Sequence, residues 1–132
     1  TICDYAGIAP PDRAQGVSLR GVIEQADADF PREAVFAETS LHADRQNSAD
    51  GRLVRTADYT YIAYSWGRPR EQLFHIQTDP GEMVNLAVEQ RYAGVLQEHR
   101  DILLRHLTEI DDAFATHYAH PGVATVPGLR LA

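Results

Sequence analysis

Lysine is missing altogether. All twelve basic residues of this 132-residue chain are arginines, against nineteen acidic residues and a net charge of −7. Nucleic-acid binding rests on clustered cationic contacts to phosphates, and an acidic chain without a basic run excludes that partner class. Cysteine occurs once, at Cys3. An intrachain disulfide is therefore ruled out, and the redox compartment stays open. No apolar run approaches the roughly 20 residues that cross a bilayer, so no membrane partner is expected. The sequence shows neither an internal repeat nor a low-complexity segment.

What is present is the composition of one small globular domain, 44% hydrophobic and 23% charged. Ile2, Tyr5 and Ile8 recur at helical spacing, with Gly7 placed as a C-terminal glycine. This reads as the last turns of a longer helix, which makes the chain a fragment in expectation. Pro10-Pro11-Asp12 is a turn or linker. Ser18 is the expected N-cap of a short helix through Gln25. A short apolar strand is expected over 34–37. Residues 39–51, rich in Ser, Asp, Asn and His, read as a long irregular loop.

Two β-rich runs, 52–56 and 59–64, flank Ala57-Asp58 and predict a tight hairpin. Residues 66–70 make another turn, and 72–76 a fourth strand. After the break at Asp79-Pro80-Gly81 the period changes. Val88, Tyr92, Val95, Leu96, His99, Leu103, Leu107 and Ile110 form an apolar stripe on a helix of about six or seven turns. The predicted fold is α+β, a small four-stranded antiparallel sheet packed against a long C-terminal helix. Three segments are expected: a helix end, linker and short helix over 1–25, the main subdomain over 26–112, and an extended tail over 113–132.

The order of these pieces resembles the C-terminal subdomain of sulfatases, in the alkaline-phosphatase-like superfamily. Gly51-Arg52, the strands 53–56 and 59–64, Gln72-Leu73-Phe74-His75-Ile76, Asp79-Pro80-Gly81-Glu82 and Asn85-Leu86-Ala87 carry the resemblance. Thr1-Ile2, Ala6-Gly7-Ile8 and Gln15-Gly16-Val17-Ser18-Leu19 extend it towards the N-terminus, so that it covers roughly 1–108. One departure is His75, where the family usually has Asp.

The resemblance implies a sulfuric ester hydrolase whose catalytic apparatus lies outside this sequence. The family nucleophile is a Cys or Ser in Cys/Ser-x-Pro-x-Arg, converted to formylglycine. Cys3-Asp4-Tyr5-Ala6-Gly7 has neither the Pro nor the Arg. No cofactor is expected in this chain, while calcium or magnesium and formylglycine are expected in the full-length enzyme. The implied partner is the rest of the catalytic domain. An apolar face left bare in a fragment would be covered by self-association. Two alternatives stand beside this reading: the C-terminal part of a phosphate or phosphonate ester hydrolase of the same superfamily, and a free-standing binding or scaffold module.

The candidate site is the loop 38–50, where His42 and Arg45 would meet an anionic sulfate ester, the forked guanidinium suiting such oxyanions. Asp79, Pro80, Gly81 and Asn85 are structural: Asp79 accepts backbone N–H groups, Pro80 sets φ, Gly81 permits the bend, and Asn85 bonds backbone at the helix entry. Arg52 and Arg55 read as ion-pair formers, and Trp66 as core. Six histidines invite a test for metal. His99 and His106 share a helix face, with His99 in the apolar stripe as a core residue. His117 and His120 have no Cys or acidic partner at ligand spacing, so no zinc site is expected.

Overall fold

The computed structural model describes residues 1–25, 28, 32–42, 48–65 and 67–117. The chain divides into two units, Thr1–Glu33 and Ala34–Ala132.

In the first unit, α1 (Ile2–Ala6) ends at Gly7, whose φ of 65° lies in the left-handed region that glycine adopts without a Cβ penalty. α2 spans Arg20–Glu24. Its N-cap is Leu19, one residue beyond the expected Ser18. The Ser18 hydroxyl still accepts from Arg20 N at 3.3 Å and donates to Asp4 Oδ2 at 2.7 Å. Leu19 N donates to Thr1 Oγ1 at 2.8 Å. These polar stitches join the two short helices, and neither helix contains a buried residue.

The second unit is a four-stranded antiparallel sheet in the order β1-β2-β3-β4, with β1 Val35–His42, β2 Ser48–Arg55, β3 Tyr59–Tyr64 and β4 Glu71–His75. The β2–β3 hairpin is the tight one expected, closed by Thr56 N donating to Tyr59 O at 2.9 Å around Ala57-Asp58. The predicted loop 38–50 is corrected. β1 and β2 continue through it as a ladder from Val35↔Arg55 to His42↔Ser48. Its polar composition conceals the strands, because Ser40 Oγ donates to Asp50 Oδ1 across the pair at 2.7 Å and both strands need only one covered face.

β4 is the opposite edge, and Asn85 caps it. Its Oδ1 accepts from Leu73 N and Ala87 N, both at 3.0 Å, and its Nδ2 donates to Glu71 O at 3.0 Å. One side chain thus joins the strand to the 3-10 turn that begins at Leu86. The turn before it is built by Asp79, whose Oδ2 accepts from Met83 N and Val84 N at 2.8 Å. His75 Nδ1 accepts from Thr78 N at 3.2 Å.

The long helix starts later than its apolar period suggests. Leu86–Val88 and Gln90–Tyr92 are separate 3-10 turns, divided by Glu89 in extended geometry, and α3 spans Ala93–Glu109. Val88 is consequently 78% exposed and no part of the stripe. Leu96, His99, Leu103 and Leu107 are its buried members. The three leucines pack with Val54, Tyr61, Ala63, Leu73 and Leu86 in one core. Each fully buried leucine there contributes about 1.5–3 kcal/mol by apolar burial.

The tail expected over 113–132 is corrected in its first residues. After Asp111, at φ 55°, the chain forms α4 (Ala113–His117), and Phe114 is buried in the core. Asp112 makes this possible: its Oδ1 accepts from Phe114 N at 2.8 Å as the N-cap of α4. Residues 118–132, with His120, lie outside the described residues, as does Trp66.

Candidate functional site

The chain direction brings two connections to one end of the sheet. They are the β1–β2 connection after His42 and the β3–β4 loop after Tyr64. β2 begins three residues above the last β3 pairing, Gly51↔Tyr64. Ser65 extends the ladder there. Its N donates to Asp50 O at 2.8 Å, and its Oγ accepts from Asp50 N at 2.8 Å. Tyr64 N donates to Arg70 O at 2.9 Å and closes the loop. The start of the β3–β4 loop is therefore stitched to β2 through Asp50 and Ser65.

Gly51 is required at this junction. A Cβ there would stand 2.8 Å from Thr39 Cγ2 and 3.2 Å from Tyr64 Cε1. The absent side chain lets the Tyr64 ring lie against the β2 backbone.

Of the two residues expected to meet substrate, His42 is the last residue of β1, paired with Ser48, and its side chain lies outside the described residues. Arg45 lies outside them entirely. His42, as the terminus of β1, belongs to this end of the sheet.

Most described arginines of the second unit are committed to carboxylates. Arg52 forms a two-point pair with Asp112, Nε to Oδ2 at 2.7 Å and NH2 to Oδ1 at 3.2 Å, with both side chains largely buried. That hydrogen bond holds the Asp112 carboxyl below its usual range and raises Arg52. Arg100 grips Glu71 in the same manner, at 2.7 and 2.6 Å, while Tyr61 OH donates to Glu71 Oε1 at 2.6 Å. The Glu71 hydrogen bond raises Arg100. Arg55 reaches Glu82 at 3.5 Å and Arg91 reaches Glu89 at 2.7 Å.

Arg68 and Arg70 differ. Among the described residues neither has a carboxylate partner, and Arg70 uses only its Nε, donating to Tyr64 O at 3.3 Å. The sequence pattern shows 66–70 simply as a turn. The available signal was two arginines flanking a proline in a chain with a surplus of acid.

His99 and His106 are engaged in packing. His99 is 3% exposed. The Val95 carbonyl can only accept, so Nδ1 carries the proton at 2.8 Å, and Nε2 faces the Thr56 hydroxyl at 3.1 Å. His106 stacks on Phe36, ring centroids 3.6 Å apart. Glu82, the acid nearest the Asp79 turn, accepts from the buried Thr60 hydroxyl at 2.7 Å. Among the described residues no group of three or more His, Cys, Asp or Glu side chains stands together as a metal-binding set.

The family described as N-sulphoglucosamine sulphohydrolase, C-terminal, matches residues 1–109. A Delta 4,5-hexuronate-2-O-sulfatase of Bacteroides thetaiotaomicron is 34% identical over 115 residues, covering 86% of this chain and 23% of that protein. The solved structure of a 2-O GAG sulfatase superposes with a TM-score of 0.76 at 32% identity, over 88% of this chain and 25% of that one. A phosphonate monoester hydrolase of Agrobacterium radiobacter shares the fold, with a TM-score of 0.62 at 21% identity over 83% of this chain and 23% of that one. The chain spans about a quarter of the length of the relatives it matches.

Proposed function

The chain belongs to the family of sulfatase C-terminal domains, and from that premise we propose that it works as the C-terminal part of a sulfuric ester hydrolase, bracing the catalytic domain and shaping access to its substrate. The observation that carries this reading is the family match over residues 1–109, which takes in both units and ends with α3.

The bracing role rests on how the second unit is built. Its core is continuous from β2 to α4, and the two-point pairs Arg52–Asp112 and Arg100–Glu71 tie helix to sheet. Such a body fixes the strand ends His42, Ser48 and Tyr64 from which the connections leave the sheet. His42 and Arg45, at that end, contact the ester, with Arg45 presenting a forked donor to sulfate oxygens. The hexuronate sulfatase named among its relatives favours a sulfated sugar as substrate. Calcium or magnesium and formylglycine belong to the catalytic domain, where the formylglycine hydrate supplies the nucleophile. The catalytic domain is the partner of this chain, and self-association covers its apolar side chains when that partner is absent.

The chain alone hydrolyses no sulfate ester. Incubating the purified 132-residue chain with a chromogenic aryl sulfate is expected to release no product, and turnover would overturn the assignment of the chemistry to another part of the polypeptide. The polypeptide carrying the catalytic domain is expected to cleave the sulfate ester in preference to the matching phosphate or phosphonate ester. The reverse preference would establish the fold-sharing alternative.

A further inference from the structure

Asp112 serves two neighbours where the chain leaves α3. Its Oδ2 accepts from Arg52 Nε at 2.7 Å, and its Oδ1 from Arg52 NH2 at 3.2 Å. The same Oδ1 accepts from Phe114 N at 2.8 Å, at the start of α4. The Arg52 guanidinium in turn lies over the Phe114 ring, 5.0 Å from its centroid. α4 is five residues long, too short to persist in water without tertiary contacts. Phe114 is its buried anchor, so the Arg52–Asp112 pair and one aromatic ring hold the helix down.

α3 does not depend on α4 in return. Its last turn is closed by Ile110 N donating to His106 O at 3.1 Å and Asp112 N donating to Leu107 O at 2.9 Å. Leu96, Leu103 and Leu107 in the core and Arg100 on Glu71 tie it to the sheet. Between the two helices is Asp111, at φ 55°, a left-handed backbone that aspartate adopts at modest cost. A short terminal helix beyond such a bend belongs to the low-stability end of a fold and opens without the rest. Among the described residues Asp112 faces Arg52 on β2 and His106 on α3, while Glu38 on β1 and Asp50 on β2 act on Arg52. The Arg52 hydrogen bond holds the Asp112 carboxyl below its usual range. The pair is therefore intact above the unfolded carboxylate pKa of about 4 and is lost as pH falls through the folded value.

We propose that α4 is an acid-released clasp: protonation of Asp112 frees Arg52 and lets residues 113–117 leave the core about Asp111, while the sheet and α3 stay folded. The proton comes from solvent. It cancels the charge of the pair and turns one acceptor oxygen into a hydroxyl facing a guanidinium that can only donate. Release takes Phe114 out of the core cluster and uncovers apolar surface at the C-terminal end of α3. Arg100–Glu71 makes no second clasp. Arg100 sits within α3, whose buried leucines hold it to the sheet whatever the charge of Glu71.

The test is amide hydrogen exchange on the 132-residue chain, read residue by residue as protection factors while pH is lowered. Phe114 N and Ala115 N both bond to Asp112 in the closed form, through its Oδ1 and its carbonyl. Their protection should fall about tenfold or more, from the loss of a charge-assisted pair, at a pH where Tyr61, Leu73 and Leu103 keep theirs. Two variants separate the pair from the cap, since both leave an acceptor for Phe114 N. Asp112→Asn removes the charge, and Arg52→Met removes the guanidinium. In each, α4 should already be open at pH 7 with the sheet protected, and acid should produce no further step confined to α4. Simultaneous loss of protection in α4 and the sheet would overturn the proposal, as would unfolding of the whole unit in either variant at pH 7. Retained protection of Phe114 and Ala115 in either variant would overturn it too, by showing that the cap alone holds α4.

Discussion

Different forces hold each of the two units of this chain together. In residues 1–33, α1 and α2 are joined by hydroxyl and carboxylate contacts, while Ile2, Ile8 and Ile23 are 85, 61 and 62% exposed. In residues 34–117, Val54, Tyr61, Ala63 and Leu73 are wholly buried beneath α3, with Leu103 and Leu107 at 1% exposure. Both units carry Arg–Asp contacts. Arg20–Asp4 is a 3.6 Å pair with both side chains over 40% exposed, whereas Arg52–Asp112 is a two-point pair around 10% exposed. Exposed pairs are screened by water, and buried ones are not. The comparison teaches that a similar polar pair is a local stitch in one place and a structural tie in the other, and that burial decides which.

The largest effect should come from the core. Leu103→Ala removes a fully buried side chain between helix and sheet and should destabilise the second unit by about 3 kcal/mol, read from the midpoint of urea unfolding. A shift no larger than that of a surface substitution would mean that α3 does not carry the core.

The buried tie comes next, and it has a pH signature. Arg52 holds the folded-state pKa of Asp112 below its unfolded value, so the stabilisation is fully present above the unfolded carboxylate pKa of about 4 and is lost as pH falls through the folded value. Asp112→Asn should cost about 2 kcal/mol at pH 7. As pH falls through the folded-state value of Asp112 the unfolding curves of variant and wild type should converge. A gap that stays constant with pH would assign the loss to packing at position 112 rather than to its charge.

Gly51→Ala should cost about 1–2 kcal/mol through overpacking against Thr39 and Tyr64. Adding Thr39→Ser, which removes the methyl group 2.8 Å away, should restore part of it. No recovery in the double variant would place the strain at the Tyr64 ring instead.

The smallest stability effects belong to the first unit. Asp4→Ala should leave the main unfolding transition where it is, since nothing buried depends on it. Ile2→Ser with Ile23→Ser should likewise leave the transition unmoved. It should lower concentration-dependent association in sedimentation, the one measurement in which this unit ought to exceed the other. Association unchanged by both substitutions would remove these side chains from the self-contact.

Much of the second unit was legible as pattern. The run 59–64 is β3 residue for residue, Ala57-Asp58 is the hairpin turn, and the spacing of Leu96, His99, Leu103 and Leu107 announces the buried face of α3. The hairpin arms in 38–50 were not legible. Ser, Thr, Asp and His there look like loop composition, and only pairing with a neighbouring strand turns them into β1 and β2. The late start of α3 was hidden for a related reason. Val88 keeps the helical spacing, but the extended geometry of Glu89 interrupts the helix. His42 and Arg45 are expectations drawn from residue type and the family resemblance, and Arg45 and the His42 side chain lie outside the described residues. Arg68 and Arg70 emerge only when Arg52, Arg55, Arg91 and Arg100 have been matched to their carboxylates.

The sequence by itself determined the order of elements, the helix face that would be buried, the turn chemistry around Asp79-Pro80-Gly81, and the family. These are encoded in residue spacing and local backbone preference, which need no distant partner. Tertiary structure alone decided that Asn85 would close the edge of β4 and that Asp112 would serve Arg52 and α4 together. Those outcomes depend on residues 12 and 60 positions apart coming within 3.0 Å of each other, and no local pattern specifies such a distance.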